Sequence, residues 1–369
     1  MVYTHPYKEQ LPTITQLLEM VRDLTSQMPV RHRMPYDEPI EDDGAFLLNR
    51  TASGLFTLKP NITMQPCLYY GDNDYHEELK TTWSRLNKDN LIVDNVLREE
   101  FELTMFSHPL YRLLFQGIPT RRKPVRIANP FGVATAYGFP SPMLPLTSSL
   151  DVATFFATHT KNANTGQWTP IPERNEQGEL NVGVLYILEL ALPFPMMPGL
   201  SVIGAQAFSR PGTQRMFALN MTDDENLNSR RFVTGFQFRQ SPAEVVEISN
   251  MFQNGNLLTP DELIAKKAND ILTSRRVSEA AFELNCRNNP HQDHAANRKK
   301  LEAAGIKIVN NAGHLFTEEE LNREFYPTAV GQWNNMFGPV VAVHPGFDKL
   351  LDDIRDFPNT PQGHNFFRQ

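Results

Sequence analysis

The sequence has 369 residues, with 35 Lys and Arg residues against 42 Asp and Glu residues, and therefore a formal net charge of −7. This acidic balance argues against general electrostatic binding to nucleic acid or to an anionic membrane, although it is compatible with a local basic groove. Apolar residues make up 40% of the chain, which is enough for a hydrophobic core and excludes an intrinsically disordered protein. No uninterrupted apolar stretch reaches the roughly 20 residues that cross a bilayer, so we expect no membrane association.

The cysteines, the N-terminus and the histidines narrow the class of protein further. Cys67 and Cys286 are too few for a disulfide framework or for a zinc site built from several thiolates. The first residues lack the apolar run of a secretory signal, so we expect a cytoplasmic protein. His291 and His294 lie in a polar segment without a set of acidic or thiolate partners, and we therefore expect no metal site.

The first third of the chain contains two helical patterns and one strand pattern. Apolar residues at helical spacing after Thr13 predict a first helix, which Pro29 ends. The apolar run of residues 45–48 predicts a short buried strand with Arg50 at its exit. From about residue 75 to residue 115 the periodicity is again helical, and Pro109 must break or kink that segment.

The middle of the chain is punctuated by proline and glycine. We expect residues 129–149 to form a rigid loop that delivers Thr147, Ser148 and Ser149 to the start of a helix over residues 151–158. The apolar run of residues 182–190 predicts a central strand that is buried on both faces. Weaker strand patterns lie near residues 202–208, 216–221 and 232–238.

Helical periodicity returns in the last third of the chain. It predicts helices over residues 259–287 and 298–304, and Thr317 and Glu320 stand at capping-box spacing before a further helix that extends to residue 325. The order of elements predicts an α+β fold with an irregular β core and flanking helical segments at both ends. We divide the chain into a helical and acidic lead-in, an α+β core, and a mainly helical segment that packs on the core: residues 1–44, 45–250 and 251–369.

Several common catalytic and cofactor-binding motifs are absent from the sequence. No Gly-x-Gly-x-x-Gly follows a predicted strand, no Gly-rich loop ends in Gly-Lys-Ser/Thr, and no Gly-x-Ser-x-Gly elbow occurs. His76-Glu77 lacks the second histidine that a zinc protease places four residues further on. Rossmann, P-loop, serine-hydrolase and zinc-protease sites are therefore not supported.

Three segments carry a resemblance to a known family. Residues 135–157, with Tyr137-Gly138-Phe139-Pro140-Ser141 before a Phe-Phe-Ala helix, resemble the hallmark segment of the FRG domain, Gln-His-Tyr-Gly-aliphatic-Pro-Thr-Arg-Leu-Leu-Asp-Trp-Thr. Leu48-Asn49-Arg50-Thr51 resembles the strand-borne Tyr/Phe-Arg-Gly of that family, and residues 210–217 resemble its late Arg…Gln-x-Gly-x-Phe element. The sequence departs from the pattern where the family's His, Arg and Asp are Ala136, Pro142 and Pro145, and where its Gly-x-Phe is compressed to Met216-Phe217.

This resemblance implies a fold like that of the ADP-ribosyltransferases, with a split β core that holds NAD in a cleft. It implies that Arg50 contacts NAD, that Tyr137, Thr147 and Ser148 support the cofactor, and that Gln214 orients the reacting centre. Arg50, Thr147 and Gln214 would then be the catalytic set. Hydroxyl and guanidinium groups suit this chemistry, because they hold a carboxamide, ribose hydroxyls and a pyrophosphate. A carboxylate stabilises an oxocarbenium-like transition state better than an amide does, and Glu244 and Glu247 are alternative carboxylates for the place of Gln214.

Two functional hypotheses follow and remain open at this point. The first is an NAD-dependent ADP-ribosyltransferase that acts on protein, RNA or DNA as a toxin or phage-defence effector, with an antitoxin protein as a further partner. Basic residues at 121–126 and 298–300 would contact the phosphates of a nucleic-acid acceptor. The second is a non-catalytic FRG-type module that binds a nucleotide or a protein. The replaced His and Asp favour the second hypothesis, whereas Arg50 and the paired hydroxyls favour the first. A third reading, an unrelated α+β interaction protein, applies if the resemblance is accidental.

Overall fold

A computed structural model describes residues 2–3, 7–27, 46–50, 56–61, 65–86, 91–120, 125–162, 166–190, 199–337, 340–341 and 348–368. The strands are β1 Val2–Tyr3, β2 Phe46–Arg50, β3 Phe56–Pro60, β4 Cys67–Asp72, β5 Met143–Thr147, β6 His159–Lys161, β7 Trp168–Pro170, β8 Val182–Glu189, β9 Leu200–Val202, β10 Met216–Asn220, β11 Val233–Arg239, β12 Arg276–Ser278, β13 Lys307–Val309 and β14 Val340–Val341. The helices are α1 Ile14–Gln27, α2 Leu91–Ser107, α3 Pro109–Gln116, α4 Pro130–Ala136, α5 Leu150–Thr158, α6 Ser209–Thr213, α7 Pro242–Met251, α8 Leu263–Ser274, α9 Glu279–Asn288, α10 His294–Ala303, α11 Glu318–Glu320, α12 Ala329–Phe337, α13 Asp348–Arg355 and α14 Pro361–Phe367.

A mixed sheet organises the fold. Its seven strands lie in the order β1-β11-β8-β4-β5-β10-β9, and β1 runs parallel to β11 while the other neighbours are antiparallel. A second sheet contains β14, β2 and β3, and two short two-stranded pairs complete the described strands. Helices flank the central sheet, so the predicted combination of a β core with flanking helical segments is confirmed at the level of a mixed α/β architecture.

Strand β8 has the buried character that the sequence predicts, because helices cover both faces of the sheet. Val184, Tyr186 and Leu188 belong to the larger hydrophobic cluster, which continues into the helices of the C-terminal third. Leu185 and Ile187 point to the opposite face and belong to a second cluster with side chains of α1, α5 and α7. Successive strand residues alternate between faces, so a strand between two cores must be apolar throughout.

The first helix is also where the sequence places it, but its N-terminus is capped from a distance. The carboxylate of Glu244 on α7 accepts hydrogen bonds from the Thr13 hydroxyl at 3.0 Å and from the Ile14 amide at 3.1 Å. Thr13 itself accepts from the Gln16 amide at 3.5 Å. Although partial burial alone would raise the pKa of Glu244, hydrogen bonds from Thr15 and Thr13 lower it. A negative charge at a helix N-terminus is stabilising, so Glu244 has a structural role here.

The prediction of helical structure from about residue 75 is wrong for residues 77–86. This segment contains only one 3₁₀ turn, Trp83–Arg85. The Leu79 amide donates to the Asn226 side chain at 3.0 Å, and the Asn228 amide group donates to the carbonyl oxygen of His76 at 2.8 Å. Backbone groups that bond to a distant loop are not free to form helical hydrogen bonds.

The segment predicted as one rigid loop, residues 129–149, instead contains α4 and β5. Asn129 caps α4 by accepting from the Gly132 amide at 3.1 Å, and Pro130 occupies the first helical position. Ser149 caps α5 by accepting from the Val152 amide at 3.3 Å. The proline-rich sequence therefore forms a short helix and a strand of the central sheet.

Two further boundaries differ from the sequence prediction. The helix predicted over residues 259–287 is divided by Arg275, which adopts a left-handed conformation with φ of 51° before β12 pairs with β13. The strand expected near residues 202–208 ends at Val202, and the chain then turns into α6. By contrast, the capping box of Thr317 and Glu320 is confirmed.

A buried polar network joins α2 to the C-terminal third. The Glu100 carboxylate accepts from the Ser278 amide at 2.7 Å and from its hydroxyl at 2.6 Å, and it lies 3.0 Å from Nδ1 of His314. Burial alone would raise the pKa of Glu100, but the hydrogen bonds from His314 and Ser278 outweigh it and lower the pKa.

Replacing this carboxylate by Glu100→Gln should make the stability of the protein less dependent on acid pH. A carboxylate with a folded-state pKa below its unfolded value of about 4.3 adds stability above that value, and loses it as the pH falls through the folded-state pKa. We expect the variant to be less stable than the wild type by roughly 1.5–3 kcal/mol at neutral pH, with the difference shrinking as the pH falls below the unfolded-state pKa of about 4.3. Urea unfolding across this range measures it, with the exposed Glu302→Gln as the control; a difference that stays constant with pH would contradict the prediction.

Gly71 on β4 is required by the close approach of α5. A Cβ atom at this position would lie 1.8 Å from the carbonyl oxygen of Ala153. Because that contact is with backbone, the helix and the strand would have to separate. Gly71→Ala should therefore lower the free energy of unfolding by about 1–3 kcal/mol in urea unfolding.

The matched control for this substitution is Gly331→Ala on α12, where an added Cβ has nothing within 4 Å. Alanine is favoured over glycine inside a helix, so this variant should be neutral or more stable by up to about 1 kcal/mol. Equal stability of the two variants would show that the contact with Ala153 does not constrain the fold.

Candidate functional site

A cavity of about 340 Å³ opens where two strands of the central sheet diverge. Strands β4 and β5 share one residue pair, Tyr69 with Thr147, whereas β4 pairs with β8 along its whole length. Pro145, which has no amide hydrogen to offer to a neighbouring strand, lies on β5 and lines the cavity. The other walls come from the end of α4, from α5, from the β6–β7 hairpin and from α6.

Three of the residues predicted from the sequence line this one cavity: Tyr137, Thr147 and Gln214. Ser148 is next to Thr147 but is not among the lining residues, and its amide donates to the carbonyl oxygen of Arg215 at 3.2 Å. Arg50 lies on β2 in the second sheet, and its side chain is outside the part of the chain that the structure describes. The structure thus brings together residues from β5, from the end of α4 and from the turn after α6.

The hydroxyl and amide groups of this set are already hydrogen-bonded within the chain. The Thr147 hydroxyl donates to the backbone carbonyl of Gln214 at 2.7 Å and accepts from the Ser149 amide at 3.0 Å. The side-chain amide of Gln214 donates to the carbonyl oxygen of Leu258 at 3.0 Å. Since a hydroxyl has one hydrogen, Thr147 can offer a ligand only its remaining lone pair.

Tyr137 forms a fixed wall of the cavity. Its hydroxyl donates to the Glu262 carboxylate at 2.6 Å, and the same carboxylate accepts from the backbone amides of Ser209 at 2.8 Å and Arg210 at 3.1 Å. Burial, and then the charge of Glu262, raises the pKa of Tyr137 well above its ordinary value. The phenol therefore stays protonated and presents the face of its ring.

Two cations at the cavity have no counterpart among the predicted site residues. The guanidinium carbon of Arg210 lies 4.6 Å from the centre of the Tyr137 ring, and its Nη1 donates to the carbonyl oxygen of Ala136 at 3.3 Å. The Lys161 ammonium lies 5.8 Å from the centre of the Trp168 ring. Desolvation, and then the positive charge of Arg210, lowers the pKa of Lys161. None of the described residues that line the cavity is an aspartate or a glutamate, so the cavity is cationic.

A second segment that the sequence analysis did not single out is Tyr69-Tyr70-Gly71 on β4, which lines the cavity. The Tyr70 hydroxyl donates to the Asp72 carboxylate at 3.1 Å.

The alternative sites considered for the chain lie elsewhere. Glu244 caps α1, and it lines a separate cavity together with Glu247. Within the described residues there is no group of three His, Cys, Asp or Glu side chains that could hold a metal ion, and no helix long and apolar enough to cross a membrane. Residues 121–123 lie outside the described residues, and Arg298 pairs with Glu279.

Comparison of the chain with models of protein families, with curated proteins and with solved structures finds no match. The site therefore has to be interpreted from its own residues.

Thr147 offers a direct test of how the two sides of the cavity are joined. Thr147→Val keeps the shape of the side chain but removes both hydrogen bonds, leaving the Gln214 carbonyl and the Ser149 amide without this partner. We expect the free energy of unfolding to fall by about 1–3 kcal/mol. Urea unfolding measures the loss, with Thr160→Val on the exposed side of β6 as the control. An unchanged stability would mean that these bonds do not hold β5 to the turn after α6.

Proposed function

We propose that this chain is a nucleotide-binding module of the FRG type, with a cleft like that of the ADP-ribosyltransferases and with NAD as its ligand. The observation that carries the proposal is that Tyr137, Thr147 and Gln214, which are far apart in the sequence, line one cavity together with the cations Arg210 and Lys161.

The composition of the cavity supports a ligand that combines phosphate with planar rings. Guanidinium and ammonium groups bind phosphate, and the guanidinium can do so through two parallel hydrogen bonds. Aromatic side chains line the cavity and supply the apolar surface on which a nicotinamide or an adenine ring can pack: Tyr69, Tyr137, Phe156 and Trp168. The volume of about 340 Å³ lies at the lower end of the range of small-molecule sites, about 300–1,000 Å³.

The same groups favour binding over turnover. Cleavage of the bond between nicotinamide and ribose develops positive charge on the sugar, which a carboxylate at the cavity would stabilise. The described lining residues include none, and Thr147 and Gln214 are engaged with the chain itself. The family's His and Asp are replaced by Ala136 and Pro145, and neither replacement can transfer a proton or accept one.

ADP-ribosyl transfer to a protein or nucleic acid, as a toxin or phage-defence effector would perform it, is the second candidate. One observation favours it: the Glu262 carboxylate lies behind Tyr137, 2.6 Å from the phenol oxygen. For this carboxylate to reach the reacting ribose, Tyr137 would have to leave the position in which Glu262 and Arg210 hold it. Release of nicotinamide from NAD distinguishes this candidate from the first.

Calorimetric titration with NAD tests the proposal, and Ala136→Trp provides the decisive variant. Ala136 lines the cavity, so an indole at this position should fill it and weaken NAD binding by at least tenfold, which corresponds to about 1.4 kcal/mol. Ala295→Trp, on the exposed side of α10, should bind NAD as the wild type does.

The same samples are assayed for nicotinamide, and we expect binding of NAD without its release. Continued release of nicotinamide that Ala136→Trp abolishes would establish the second candidate instead. Absence of NAD binding to the wild type, or equal binding by the two tryptophan variants, would overturn the proposed function.

A further inference from the structure

Arg210 and Lys161 are cations that the fold keeps beside a cavity without neutralising them. The ion pairs of the described residues include neither side chain. The Glu262 carboxylate accepts from the Tyr137 hydroxyl and from the backbone amides of Ser209 and Arg210, and it makes no ion pair with the Arg210 guanidinium. Two like charges near one cavity repel each other, and an anion between them removes that cost.

Arg210 is held in a geometry that leaves most of its donors unused. Contact with the Tyr137 ring and one hydrogen bond to the Ala136 carbonyl oxygen fix the guanidinium. Its Nε is buried and has no hydrogen-bond partner. The terminal N–H groups of Arg210 make one hydrogen bond within the chain, to the Ala136 carbonyl oxygen, so the remaining ones can bind an anion that enters the cavity.

Lys161 approaches the same cavity from the end of the β6–β7 hairpin. Its ammonium lies over the ring of Trp168, whose indole Nε1 is likewise buried without a hydrogen-bond partner. The aliphatic part of a lysine can cover an aromatic ring while its charged end stays mobile. Lys161 can therefore close on an anion that Arg210 holds, and its position on a hairpin outside the core makes it replaceable without loss of the fold.

We propose that Arg210 and Lys161 form a phosphate-binding subsite in this cavity, and that it takes the 5′-phosphate or pyrophosphate of a nucleotide whose base lies against the aromatic wall. This inference rests on the proposed function, because it takes the ligand to be a nucleotide, and it assigns the phosphate contact to these residues instead of Arg50. The subsite selects the charged nucleotide over the uncharged nucleoside.

Calorimetric titrations with AMP, adenosine and inorganic pyrophosphate test this assignment. Lys161→Gln should weaken the binding of AMP and of pyrophosphate about tenfold, as expected for the loss of one charge-assisted contact, and should leave adenosine binding unchanged. Lys161→Arg should restore the affinity. Arg210→Gln should weaken the binding of AMP and of pyrophosphate more than Lys161→Gln does, and circular dichroism verifies the fold of this variant. Lys299→Gln on α10 is the control and should bind these ligands as the wild type does. The affinity of the wild type for AMP should decrease as the NaCl concentration is raised from about 50 to about 200 mM. The affinity of Lys161→Gln should decrease less steeply over the same range.

The outcomes separate this subsite from the proposed function. Binding of NAD with an affinity that Lys161→Gln and Arg210→Gln leave unchanged would overturn the subsite and leave the proposed function standing. Binding of pyrophosphate that both variants weaken, without any binding of NAD or AMP, would support the subsite and overturn the proposed function. A wild-type protein that binds none of these anions would overturn both.

Discussion

The separation of β4 from β5 is the constraint on which the rest of the site depends. In a continuous sheet, backbone hydrogen bonds would hold these strands together along their length and leave no gap, but they meet at one pair, Tyr69 with Thr147. The packing of α5 against Gly71 fixes one side of the gap, and the hydrogen bonds of Thr147 tie the other side to the turn after α6. The cavity is therefore a product of the backbone and of buried contacts, and its shape is set before any ligand arrives.

Electrostatics gives this space its chemical character. The cavity contains two cations and no described carboxylate on its wall, so its local charge is positive although the chain has a net charge of −7. A local field of this kind attracts anions even when the whole molecule repels them, because the field near a concave surface is governed by the nearest charges. Binding of a polyanionic small molecule is thus compatible with a composition that argues against general binding of nucleic acid.

The parts of the fold that the sequence predicts are those whose pattern is local. Helix α1 and strand β8 follow from their own apolar spacing, because each buries a face that its own residues define. The helix expected over residues 77–86 fails because its backbone bonds to the side chains of Asn226 and Asn228, about 150 positions away. The sequence of strand β4 shows no alternation of apolar and polar residues, because Cys67, Leu68 and Tyr69 are buried in succession and both faces of the strand are covered.

The site divides in the same way. Of the residues that the resemblance predicts, Tyr137, Thr147 and Gln214 line one cavity, Ser148 does not, and the side chain of Arg50 lies outside the described residues. Lys161 lies in a polar hairpin that no sequence pattern marks. The sequence analysis assigned no role to Arg210, although this residue belongs to the segment 210–217 that carries part of the resemblance. Its position over the Tyr137 ring depends on the turn of α6 and on Glu262, which the sequence does not reveal. Glu244 also has a role that depends on distant residues, because its carboxylate caps the first helix at Ile14, 230 positions earlier in the chain. During synthesis on the ribosome, that helix emerges long before Glu244 does, so its N-terminus lacks this carboxylate until the 230 residues after Ile14 have been made.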